Sequence, residues 1–163
     1  MNARRETRLV IAERPARRDH LHGAWWPYST DIEYELAPML TRALTRVHTV
    51  LGVTLNREEW PGAPLLLQPL PTRSPKISWF GLTEPHLAML HCGGHNRIAL
   101  LVLPPDTLDE VAVTAMLMTA APGNRLTTTE TLARARAHAQ PSPTTIARFS
   151  AASGYEPRRT AHP

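Results

Sequence analysis

The chain has 163 residues, and 42% of them are hydrophobic, which suits one domain with a sizeable core. Its net charge of +4 and pI of about 10.0 leave polyanions and acidic proteins open as partners. A single cysteine, Cys92, excludes an internal disulfide, and the longest apolar run, Ile98 to Leu103, is too short to cross a bilayer.

Residues 1–7 read as a disordered arm with a charged start and no signal-peptide core. Arg8 to Glu13 is predicted as a short strand and Pro15 to His22 as a charged loop. Residues 1–20 hold six arginines against three acids, which makes a basic arm. Arg4, Arg5, Arg14, Arg17 and Arg18 are its candidate phosphate contacts.

The stretch Gly23-Ala24-Trp25-Trp26-Pro27-Tyr28-Ser29-Thr30-Asp31 then organises the chain. Pro27 pushes Trp26 into an extended conformation, and consecutive extended residues point to opposite faces. One indole can therefore enter the core while the other faces solvent or a partner; both as core or lid residues is the first reading, an interface anchor the second and a ligand pocket the third. Thr30 and Glu33 make a capping-box pattern for a helix over residues 31–46. Ile32, Leu36, Met39, Leu40, Ala43 and Val47 give that helix one apolar face, and Pro38 inside it predicts a kink or a break.

His48 to Leu55 is predicted as a strand, and Asn56 to Pro64 as a turn region holding Trp60. Leu65 to Leu70 reads as an edge strand between prolines. Lys76 to Leu82 and His86 to His91 are strands separated by Glu84-Pro85. Cys92-Gly93-Gly94-His95-Asn96 is a hairpin turn, and Arg97 to Leu103 is apolar enough for a central strand. After Pro104-Pro105, Asp106 or Thr107 caps a second helix, with Thr107-x-x-Glu110 as its capping box. Val111, Ala115, Leu117 and Met118 form its inner face, and Pro122-Gly123-Asn124 ends it. A short third helix is expected within residues 126–139, and residues 140–163 read as a disordered tail carrying Arg148, Arg158 and Arg159. The predicted fold is α+β, one domain over residues 8–125. Its antiparallel sheet has about five to six strands in the order β-α-β-β-β-β-β-α, covered on one face by two helices.

Chemistry is sparse at this level. His86, His91, Cys92 and His95 are the densest histidine and cysteine group. His91 and Cys92 point to opposite faces of a strand, and no Cys-x-x-Cys accompanies them, so no metal and no cofactor is expected. Cys92 beside His91 or His95 is the only thiol nucleophile candidate, and a two-glycine hairpin is a loose place for a fixed base. Glu58-Glu59 beside Trp60 and the helix acids Asp31, Glu33 and Glu35 lack a partner that identifies acid–base work. No catalytic residue is assigned.

Three segments together carry a resemblance: Gly23-Ala24-Trp25-Trp26-Pro27-Tyr28-Ser29, Glu84-Pro85-His86 and Leu101-Val102-Leu103-Pro104-Pro105-Asp106-Thr107. The chain resembles a family of small actinobacterial proteins of unknown function, over roughly residues 8–125. It has Tyr28 where that family has arginine and Glu84 where it has aspartate. The resemblance implies a cytoplasmic protein and supplies no activity.

The first reading is a non-catalytic cytoplasmic interaction or regulatory module with a protein partner. Its aromatic patch comprises Trp25, Trp26, Pro27 and Tyr28, with His86 as a further binding residue. An RNA- or ribosome-associated protein working through its arginine-rich ends is the alternative. A third is an enzyme of unrecognised class, whose mark would be a concave pocket joining His86 and Glu84 with a tryptophan.

Overall fold

In a computed structural model, residues 5–13, 20–71, 74–81 and 84–140 are described. Arg4, Arg14, Arg17, Arg18 and the arginines expected in the tail lie outside the described residues, as do most of the expected arm and tail. The elements are β1 (Leu9–Ile11), β2 (Leu21–Trp25), α1 (Ile32–Leu44), β3 (Val50–Asn56), β4 (Lys76–Phe80), β5 (Leu87–Cys92), β6 (Arg97–Val102), α2 (Asp109–Ala120) and α3 (Thr128–Ala139). The fold is α+β, with one six-stranded sheet in the order β1-β2-β6-β5-β3-β4.

The sheet is mixed rather than antiparallel. β2 runs parallel to β6 and β3 parallel to β4, while the other three pairs are antiparallel. Parallel neighbours need a long connection, and both pairs have one. Residues 57–75 carry the chain from β3 to β4, and everything from α1 to β5 separates β2 from β6. Short turns pointed to the antiparallel hairpin of β5 and β6. They carried no information about strands that meet at long range.

Helices cover both faces, not one. Along β6, Ile98, Leu100 and Val102 pack into a core beneath α1, with Leu36, Met39 and Leu40. Ala99, Leu101 and Leu103 pack on the other side against Val111, Ala112 and Ala115 of α2 and Leu132 and Ala135 of α3. This alternation explains the unbroken apolar sequence of β6, since a strand covered twice needs apolar residues on both faces. Among the described residues no helix is long and apolar enough to cross a membrane.

Two local features place β2. Its register against β6 shifts between Leu21 and Gly23, and there His22 Nδ1 accepts from the Ala99 N–H at 2.9 Å. A buried side chain thus replaces a missing ladder acceptor. At Gly23 the β1 backbone comes so close that a Cβ would lie 2.0 Å from the Val10 carbonyl oxygen.

Several local expectations are corrected. Asp31, not Thr30, caps α1, accepting from the Glu33 N–H, and the helix continues through Pro38. Leu108 is the N-cap of α2 without a side-chain bond, because the Thr107 hydroxyl donates to the Pro104 carbonyl instead. Leu65 to Leu70 is not a strand. Leu65 and Leu66 are exposed, and the flanking prolines remove ladder donors. The capping box belongs to α3, where Thr127 and Glu130 bond reciprocally.

Arg8 fastens the entry to β1 onto the end of β2. Its guanidinium lies 3.5 Å from the Trp26 ring centroid and 3.9 Å from that of Tyr28. It also donates to the carbonyls of Trp26 and Pro27 at 3.0 and 2.8 Å. Arg8→Met keeps the stem and removes both bonds and the charge. It is expected to cost about 2–3 kcal/mol in urea denaturation. A loss below about 0.5 kcal/mol, the level of an ordinary surface change, would show that the guanidinium adds nothing.

Candidate functional site

The neighbouring parallel strands β2 and β6 end on the same side of the sheet. From β2 the chain turns to α1 under one face, and from β6 to α2 on the other. Outgoing connections that part in this way leave a crevice beyond the strand ends. A cleft of about 310 Å³ lies there. Pro27, Ser29 and Thr30 line it from the end of β2, and Val102 to Asp106 from the end of β6. Glu58, Glu59 and Trp60 come from the turn after β3, and His86 from the start of β5. The three segments singled out in the sequence, far apart along the chain, therefore meet at one cleft.

Most of its wall is apolar, from Trp60 and the prolines, and among the described residues no lysine or arginine lines it. Trp60 is buried and stacks on Trp25 with ring centroids 5.2 Å apart at 23°, which joins the cleft wall to the core under α1. The polar groups converge on Glu59 and His86. Glu59 Oε1 accepts from the His86 backbone N–H and lies 3.4 Å from His86 Nδ1. Its side chain is 15% exposed, and Oε2 has no hydrogen-bond partner among the described residues.

This environment sets the protonation of both groups. Burial is the largest influence on Glu59 and pushes its carboxyl up to about 7; the His86 N–H works against this, and Glu58 adds to it. Burial lowers the His86 imidazole, helped by the positive charge of Arg136. An acid that keeps its proton to neutral pH thus sits beside an imidazole that stays neutral there. Such a pair can donate and accept a proton at one place.

His86 is held in an uncommon backbone conformation, φ 61°, in the left-handed region where a non-glycine residue is strained. Its surroundings explain how. Glu59 accepts its N–H, and its carbonyl accepts from Val102 N–H at 2.7 Å. The preceding turn is tied to α3, because the Thr128 hydroxyl donates to Pro85 O at 2.8 Å and the Thr128 N–H to Glu84 Oε1 at 3.2 Å. Glu84, named in the sequence as the acid that would accompany His86, instead holds the first turn of α3. Glu59 takes that place. A hint was present in the pair Glu58-Glu59 before Trp60-Pro61, but nothing local ties it to a residue 27 positions away.

Trp25 and Trp26 do point to opposite faces, as extended neighbours must, yet both are enclosed, at 1% and 6% exposure. Trp25 joins the core under α1 and Trp26 the core under α2, because each face has its own helix. Pro27 is buried as well. Tyr28 is the exposed member, its hydroxyl donating to Glu6 O at 2.8 Å with Arg5 over its ring. These four residues do not form an exposed aromatic patch. Cys92 closes β5 half-buried, and burial pushes its thiol up, away from the reactive thiolate.

A model of a family described as a family of unknown function, DUF5994, matches residues 8–120 of the chain. No curated protein matches it. No solved structure does either.

Proposed function

We propose that this chain, which belongs to the DUF5994 family of unknown function, acts through the cleft at the ends of β2 and β6. Its ligand is a small uncharged molecule with an apolar body and one hydrogen-bond acceptor such as a carbonyl, and the Glu59–His86 pair moves a proton on it. The neutral acid beside a neutral imidazole in an apolar recess carries this reading. The wall of Trp60 and prolines suits the apolar body. The protonated Glu59 carboxyl donates to the acceptor, and His86 is the base. Glu58 and Asp106 at the lining disfavour anions.

This reading replaces the aromatic interaction patch as the first choice, because two of that patch's residues are core tryptophans. A regulatory module is still compatible with the cleft if ligand occupancy rather than turnover is its output.

The test is a screen of uncharged carbonyl-bearing fragments by two-dimensional amide NMR. Binding is expected to move the His86 amide, whose N–H bonds Glu59, and the indole N–H of Trp60. Binding should weaken above pH 7, where Glu59 loses its proton. Hits that shift other regions and leave both reporters still would overturn the reading.

A further inference from the structure

The geometry points to a second, oppositely charged binding site at the far end of the sheet, which takes a phosphorylated small molecule. A cavity of about 600 Å³ opens where β6 begins and β5 ends, beside the chain leaving α1. Arg46, His48 and Arg97 line it together with Asn96, and among the described residues no aspartate or glutamate does. Neither arginine forms an ion pair with any described residue. Each is exposed at the rim and available to a ligand.

Local structure puts them there. Arg46 follows the end of α1, where its N–H and that of Val47 both donate to Ala43 O. Arg97 opens β6 immediately after the β5–β6 turn, in which Gly94 and His95 adopt positive φ and Cys92 N–H donates to Asn96 O at 2.8 Å. The C-terminal end of α1 contributes about half a negative charge, which two guanidinium groups exceed. Guanidinium forks match phosphate oxygens in pairs, so two of them at one concavity select phosphate over a monovalent anion. The volume suits a small molecule. Among the described residues Arg46, His48 and Arg97 share one hollow, which favours a single phosphorylated molecule over a nucleic-acid strand. Among the described residues the Glu59 cleft is lined by acids and by no lysine or arginine, so the two sites select different ligands and stand or fall separately.

The test titrates inorganic pyrophosphate and a nucleoside diphosphate into the full chain at constant ionic strength, read by amide NMR. Saturable shifts of His48, Asn96 and Arg97 are expected, with His86 unmoved. The double variant Arg46→Gln/Arg97→Gln should weaken binding at least about tenfold. Both positions are exposed, so its thermal midpoint should match the parent. Shifts that grow linearly without saturating, or binding unchanged in the double variant, would overturn the site. Tight binding of a single-stranded RNA that pyrophosphate does not displace would assign the surface to nucleic acid instead.

Discussion

Glu59→Gln is expected to make the protein more stable at pH 8 while removing the proton transfer proposed for the cleft. The sign follows from the direction of the shift. Glu59 ordinarily titrates near 4.5 and here near 7, so between those values the folded state binds more protons than the unfolded one. Stability therefore falls as pH rises from about 4.5 to about 7 and is level above that. In a site closed to water the shift would amount to about 3 kcal/mol. The cleft is open to solvent on one side, and screening reduces this to about 1–2 kcal/mol.

Glutamine has the shape of the protonated acid and still accepts the His86 N–H, so the loss should vanish in the variant. Urea denaturation at pH 5 and pH 8 measures it. Parallel curves for parent and variant would mean that Glu59 ionises in the folded state as freely as in the unfolded one. For any substrate the fragment hits lead to, removal of the acid should slow turnover by about 10²–10⁴-fold.

Gly23→Ala is expected to cost about 3 kcal/mol. The added Cβ would meet the Val10 carbonyl oxygen at 2.0 Å and the Ile11 Cα at 2.9 Å, and neither is the end of a flexible side chain. The strands must part, which loosens the pairing of Val10 with Ala24 and of Leu9 with Trp25. The displacement would pass to Arg8, whose grip on Trp26 depends on the same register. Thermal denaturation with amide exchange over residues 9–11 and 21–25 checks it. A variant within about 0.5 kcal/mol of the parent would show that β1 is loosely held and can move aside.

Much of the chain was legible from local chemistry. The periodicity from Ile32 to Val47 marked α1, and the buried face of that helix is the one the spacing defined. The two glycines after Cys92 marked the β5–β6 hairpin, since positive φ at Gly94 is a property of one residue. The alternation of Trp25 and Trp26 across the sheet followed from extended geometry alone.

What local chemistry could not reach was everything that depends on which elements become neighbours. The exposure of Trp26 was one such case. A residue on the outer face of a strand is a surface residue only if nothing covers that face, and α2 and α3 cover it from more than 80 positions later in the chain. Glu59 was another. Its neighbours in sequence are an acid and a tryptophan, and its perturbed carboxyl arises from burial beside His86, a residue of a different turn. The candidate site itself belongs to the same category. Glu59 and His86 have ordinary side chains in isolation. They meet because β2 and β6 send their outgoing chains to opposite faces, opening an apolar recess beyond the strand ends. The sequence by itself determined the helices, the hairpin and the two-faced strands, through interactions spanning a few residues. Only the tertiary structure decided the parallel pairings, the second helical layer and the cleft, because these depend on contacts between segments whose separation no local pattern encodes.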